Sequence, residues 1–148
     1  MHDVREVVRR RRREHTFAAA RNPPLLVGAL AALDAALFTA IGTLHLGVTF
    51  GGVSAPKAHW VAPIELFGAL CCLISAGSIF TRASLAREIA WIANGIALWC
   101  VILGIFAFST GLDPCTPITD IHYSLTAAAI FVSIWRMSRW QRGLSWPP

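Results

Sequence analysis

Four stretches of this chain, residues 25–47, 61–80, 89–108 and 118–137, stay apolar long enough to cross a lipid bilayer. A helix rising 1.5 Å per residue needs about 20 residues to span a hydrocarbon core about 30 Å thick. Between Pro23 and Phe80 the only charges are Asp34, Lys57 and Glu65. Charged residues make up 14% of the chain, against about 25% in an ordinary soluble domain. A soluble bundle would carry a polar face on each helix. Here Leu66–Ala76 and Ile96–Phe108 are apolar all round. The sequence therefore predicts an all-α, integral membrane, up-down four-helix bundle at residues 23–140. A basic arm at 1–22 and a short tail at 141–148 flank it.

The arginines set an expected orientation. Arg5, Arg9, Arg10, Arg11, Arg12, Arg13, Arg21, Arg82, Arg87, Arg136, Arg139 and Arg142 all flank one side of the spans, and the opposite loops hold only Lys57. Basic residues favour the cytoplasmic side, so both termini are expected in the cytoplasm. The expected location is a bacterial inner (plasma) membrane. The block Arg9–Arg13 should contact anionic lipid headgroups, at about 1 kcal/mol per basic residue near the surface. Topology explains the block without nucleic acid. The first span is too long for a signal-peptide h-region and follows a polar segment of about 20 residues, so it reads as a retained anchor.

Loop chemistry agrees with the spans. Asn22-Pro23-Pro24 separates the arm from span one. Gly51, Gly52 and Pro56 mark a turn-rich loop, and Pro63 suits the first turn of span two. Ser84 is a candidate N-cap for span three. Thr116-Pro117 reads as N-cap and first-turn proline of span four. Trp60, Trp135 and Trp140 sit where interfacial aromatics are expected. Small residues recur four apart at Gly28 and Ala32, Ala36 and Ala40, Gly68 and Cys72, and Ala93 and Ala97, a spacing that lets helices approach closely.

Ionisable residues at membrane depth are the functional pointers. With this topology His45, Glu65, Asp120, His122 and Tyr123 come to similar depth on the outer side, from three different spans. Such a group can relay protons, hold a quinone headgroup or ligate a metal through His45, Glu65 and His122. Glu65 and Asp120 also fall in first helical turns, where an acid complements the macrodipole. Asp120 and His122 point about 200° apart, so both cannot face the centre. Asp34 lies mid-span, where an ionised aspartate costs at least about 2.5–3.5 kcal/mol, so it should face the bundle. Asp34, Phe38, Ile41 and His45 form one stripe, half of a proton path or a buried acid bonded to a neighbour such as Asn94. A haem held between His45 and His122 lacks any attachment motif. Cys71, Cys72, Cys100 and Cys115 include no C-x-x-C.

One stretch resembles a known family. Glu65-Leu66-Phe67-Gly68-Ala69-Leu70, followed by an apolar run and Ile79-Phe80-Thr81-Arg82, resembles the DoxX-like family of small four-span bacterial membrane proteins. The resemblance covers about 20 residues, mainly span two. It implies an inner-membrane component linked to respiratory or thiol-redox complexes, with Glu65, Gly68 and Arg82 carried over by position. Gly42-Thr43-Leu44-His45 departs from the lysine-containing ending expected of the family, and Asp120-Ile121-His122-Tyr123 has no counterpart. The sequence thus leaves three readings open. The first is an accessory subunit of a membrane redox assembly, in a larger complex or a homo-oligomer, rather than an enzyme. The second is a proton-coupled carrier using Asp34 and His45. The third is an enzyme with a metal or quinone at the outer cluster.

Overall fold

The computed structural model describes residues 25–112 and 116–141. The arm with Arg9–Arg13, together with Cys115, lies outside the described residues. Among the described residues there are four helices: α1 (Leu25–His45), α2 (Ala62–Phe80), α3 (Ala86–Ser109) and α4 (Pro117–Gln141). All four are long and apolar enough to cross a membrane, as expected of a multi-pass membrane protein. Consecutive helices run antiparallel, and α4 closes the ring by packing on both α1 and α3. Val27, Ile79, Ala86, Ala90 and Met137 share one cluster at the end of the bundle where α1 begins and α4 ends. That end is called the Arg82 end below, and the opposite one the His45 end.

The helix ends follow from local chemistry. Thr116 and Thr119 form a reciprocal cap on α4: the Thr119 N–H donates to Thr116 Oγ1 (3.3 Å) and the Thr116 N–H to Thr119 Oγ1 (2.9 Å). This is a capping box with threonine in the place usual for Glu or Gln. Pro63 sits in the first turn of α2, as the sequence predicts. Ser84 is not the cap of α3. Leu85 occupies that position without a side-chain bond, because the α2–α3 turn carries the helix start one residue further on. Helix α3 also begins before the expected 89, and α4 runs past 137, because Arg87, Glu88, Arg136 and Arg139 extend the helices beyond their apolar runs. Arg139 and Arg136 lie over the Trp135 ring at 4.9 and 5.5 Å, a cation–π arrangement suited to an interface.

Helices α1, α2 and α3 each end in a Schellman motif, with the paired backbone bonds that reuse the last carbonyls. Gly47 and Gly111 supply the required positive φ in α1 and α3, at 93° and 75°. At the end of α2 the position is taken by Arg82 at φ 53°. A side chain there costs about 1–2 kcal/mol that glycine avoids. Between α1 and α2, Phe50 and Val53 pair in a two-residue hairpin closed by Gly51 and Gly52, both at positive φ as a type I′ turn demands.

The distribution of polarity is inverted relative to a soluble bundle. Leu33, Phe67, Leu70, Leu73, Ile74, Ile92, Trp99 and Phe131 are exposed on the helix faces. Asp34, His45, Glu65, Ser75, Asn94, His122, Thr126 and Ser133 are buried between them. A chain surrounded by hydrocarbon gains nothing by hiding leucine and must instead sequester its polar groups. Small residues provide the close contacts inside. Gly28 backs onto Ile79 and Phe80, Gly68 onto the Phe38 ring, and Ala93 and Ala97 are buried. Ala36 and Ala40 face outward and make no such seam.

Candidate functional site

The His45 end holds a buried polar network drawn from three helices. His45 closes α1, Glu65 lies in the first turn of α2, and Tyr123 lies in the second turn of α4. His45 Nδ1 is 2.8 Å from Glu65 Oε2, and the Tyr123 hydroxyl donates to Glu65 Oε1 at 2.7 Å. With the hydrogen on Nδ1, the carboxylate accepts one bond on each oxygen. His45 and Glu65 are both 0% exposed. Low local polarity strengthens such bonds and raises the cost of breaking one. The tyrosine bond crosses the diagonal of the bundle, from α4 to α2.

Two glycines make room for this geometry. A Cβ on Gly104 of α3 would overlap the Tyr123 phenol, including its hydroxyl. The ring therefore lies directly against the α3 backbone on its way to Glu65. A Cβ on Gly42 of α1 would come within 3.3 Å of Glu65 Cβ and 3.1 Å of Leu66. Helices α1 and α2 approach closely there, which brings Glu65 under the imidazole. Phe108 completes the wall, with its ring edge-on to Tyr123 at 5.2 Å between centroids.

His122 is buried beside the network. Its ring makes edge contacts with Tyr123 (4.8 Å) and Phe38 (5.5 Å). Among the described residues its Nε2 has no hydrogen-bond partner. Asp120, two residues earlier, is exposed and does not join the group. The 200° separation expected from helix geometry thus resolves with the imidazole inside and the carboxylate outside.

The two other expectations for acids also have definite outcomes. Glu65 lies in the first turn of α2, as expected, and both its carboxylate oxygens bond side chains of other helices. Asp34 is 0% exposed, as expected, but it does not bond Asn94. Asn94 Nδ2 donates instead to the Ala90 carbonyl at 2.8 Å. The stripe Asp34, Phe38, Ile41, His45 is buried throughout. The Phe38 ring stands within it, so the stripe itself is not a continuous line of polar groups. Among the described residues no three of His, Cys, Asp and Glu converge as metal ligands. Cys71, Cys72 and Cys100 are buried free thiols.

The residues that sequence reading missed are the supporting ones: Gly104, Thr126, Ser133 and Ser75. Four of the buried residues on α4 carried a readable signal. Thr119, His122 and Thr126, with Ser133 a further seven on, recur at helical spacing and form one polar stripe on an otherwise apolar helix. Gly104 had no such signal. No family model matches the chain, and no curated protein or solved structure matches it.

Proposed function

We propose that this chain is a multi-pass protein of a bacterial inner membrane, with cytoplasmic termini, that acts as a small proton-coupled carrier. The His45–Glu65–Tyr123 network is its outward proton-binding site. One observation carries the reading: a carboxylate sealed from solvent between two titratable donors, each supplied by a different helix. A proton arriving at this network changes which of the bonds can persist, and the bonds join α1, α2 and α4. Protonation is thereby tied to how these helices pack, which a coupled carrier requires. The one-sided arginines support the orientation.

The test needs no knowledge of the substrate. Acid-minus-base infrared difference spectra of the purified protein in nanodiscs should contain carboxyl, imidazole and phenol bands that change together. Glu65→Gln should remove the carboxyl band and shift the tyrosine band. Spectra identical for wild type and Glu65→Gln would overturn the reading.

A separate observation favours a second reading, an accessory subunit of a membrane redox assembly. The hairpin at the His45 end exposes Val48, Phe50 and Val53, and Trp60 beside it is 84% exposed. An apolar cluster projecting past the end of the spans suits a partner subunit. The DoxX-like resemblance around Glu65–Leu70 points the same way. Co-purification of stoichiometric redox subunits in mild detergent, lost on Phe50→Ser with Trp60→Ser, favours this reading over an autonomous carrier.

A further inference from the structure

A second polar layer lies deeper in the bundle, and its chemistry differs from that of the first. Ser75 follows Glu65 by ten residues on α2, and Ser133 follows Tyr123 by ten on α4. Each sits about 15 Å below that residue of the outer network at 1.5 Å per residue. Asn94 precedes Gly104 by ten on α3, and Gly104 is the residue against which Tyr123 packs, so Asn94 falls near the depth of Ser133. On α1 the packing of Gly28 on Ile79 and of Gly42 on Leu66 sets the register against α2. That register puts Asp34 level with the Cys72–Ser75 turn. On α4, Asp34 falls between Thr126 and Ser133, given the Phe38–His122 contact above and the shared cluster of Val27 and Met137 below. Asp34, Ser75 and Thr126 thus fall within about one turn of a common level, whereas Ser133, seven residues past Thr126, lies about 10 Å deeper, with Asn94 at a similar depth.

These groups are almost completely buried and do not bond each other. Asp34, Thr126 and Ser133 are 0% exposed and Ser75 is 1% exposed. Both Asp34 oxygens and the three hydroxyl oxygens have no hydrogen-bond partner among the described residues. Asn94 spends its Nδ2 hydrogen on Ala90, which leaves its carbonyl oxygen as an acceptor. Asp34 is in no ion pair among the described residues. An unpaired carboxylate at this depth is costly, and so is each unbonded buried hydroxyl. A single small cation would satisfy the carboxylate and the hydroxyl oxygens near its level at once.

We propose that Asp34, Ser75 and Thr126 form an internal site for one monovalent cation, either a sodium ion or a proton. The donor set is oxygen only, which suits a hard ion. One carboxylate balances one positive charge and leaves a divalent ion undercompensated. The titratable groups nearest in register are the Cys72 thiol on α2, the Cys100 thiol on α3 and the His122 imidazole on α4, one turn above Thr126. His122 and Thr126 link this layer to the outer network around the Phe38 ring. The site stands on burial and register, independently of whether the outer network exchanges protons.

The experiment compares wild type with Asp34→Asn, Thr126→Val and Glu65→Gln in nanodiscs. If the ion is sodium, sodium chloride raises the melting temperature by several degrees over equal choline chloride, because a ligand that binds only the native state stabilises it. Asp34→Asn abolishes that shift, Thr126→Val weakens apparent sodium affinity about tenfold, a loss of one ligand (about 1.4 kcal/mol), and Glu65→Gln keeps it. If the ion is a proton, sodium has no effect, but the acid-minus-base infrared spectrum contains a carboxyl band that Asp34→Asn removes and Glu65→Gln leaves in place. Should Asp34→Asn fail to fold, Thr126→Val carries the comparison, through the sodium affinity or a shift of the Asp34 band. A wild-type protein with neither a sodium-dependent shift nor a titrating band assigned to Asp34 overturns the proposal.

Discussion

The two polar layers of the bundle solve the same problem in opposite ways. At the His45 end the buried acid is met by donors from its own chain: Glu65 accepts from His45 at 2.8 Å and from Tyr123 at 2.7 Å. About 15 Å deeper, Asp34 is equally buried and meets no hydrogen-bond donor among the described residues. In the first layer both oxygens of the acid are bonded, which contributes to the fold. The second costs stability in the protein alone, and a costly group at membrane depth persists where it has a use. Burial alone therefore says little about what an intramembrane acid does; its partners decide.

This contrast fixes the order of mutational effects, each measured by thermal or denaturant unfolding in detergent. Glu65→Leu has the largest effect. It strands His45 and the Tyr123 hydroxyl in the interior, a loss of about 3–5 kcal/mol. Gly104→Ala comes next, because its methyl group occupies the space of the Tyr123 phenol. Overpacking costs about 1–3 kcal/mol, and the Tyr123–Glu65 bond breaks with it. Asp34→Leu takes the opposite sign from Glu65→Leu in sodium-free buffer: neutral, or stabilising by about 1–2 kcal/mol, since an unpartnered polar group is replaced by an apolar one. A destabilisation as large as that of Glu65→Leu would erase the distinction between the layers. Arg82→Gly is the smallest change, a gain of about 1 kcal/mol from relieving the positive φ at the end of α2. If arginines set the orientation, the same variant weakens the bias of reporter fusions at the termini.

The helices were legible in the sequence because lipid-facing and buried positions are both apolar, so the spans read as nearly uninterrupted runs. Pro63 and Thr116-Pro117 marked their starts correctly for the same local reasons that operate in any helix. Ser84 did not, since the turn out of α2 decides where α3 begins. The grouping of His45, Glu65, His122 and Tyr123 followed from counting residues along antiparallel helices; the angle between Asp120 and His122 said that only one could face the centre, but not which. The pairing within the group was not legible. The Tyr123–Glu65 bond joins diagonal helices and depends on Gly104, whose role exists only once α3 and α4 are packed. Asp34 illustrates the same limit. Its depth and burial were readable, but its bond to Asn94 was not realised, because Asn94 finds a carbonyl one turn back on its own helix.

A double-mutant cycle on Glu65→Gln and Tyr123→Phe, by reversible unfolding in detergent micelles, tests the central claim most directly. The account predicts a favourable coupling of about 0.6–1.7 kcal/mol, the range found for interhelical hydrogen bonds in membrane proteins. Strictly additive effects would mean that α4 does not reach across the bundle to Glu65, and would contradict it.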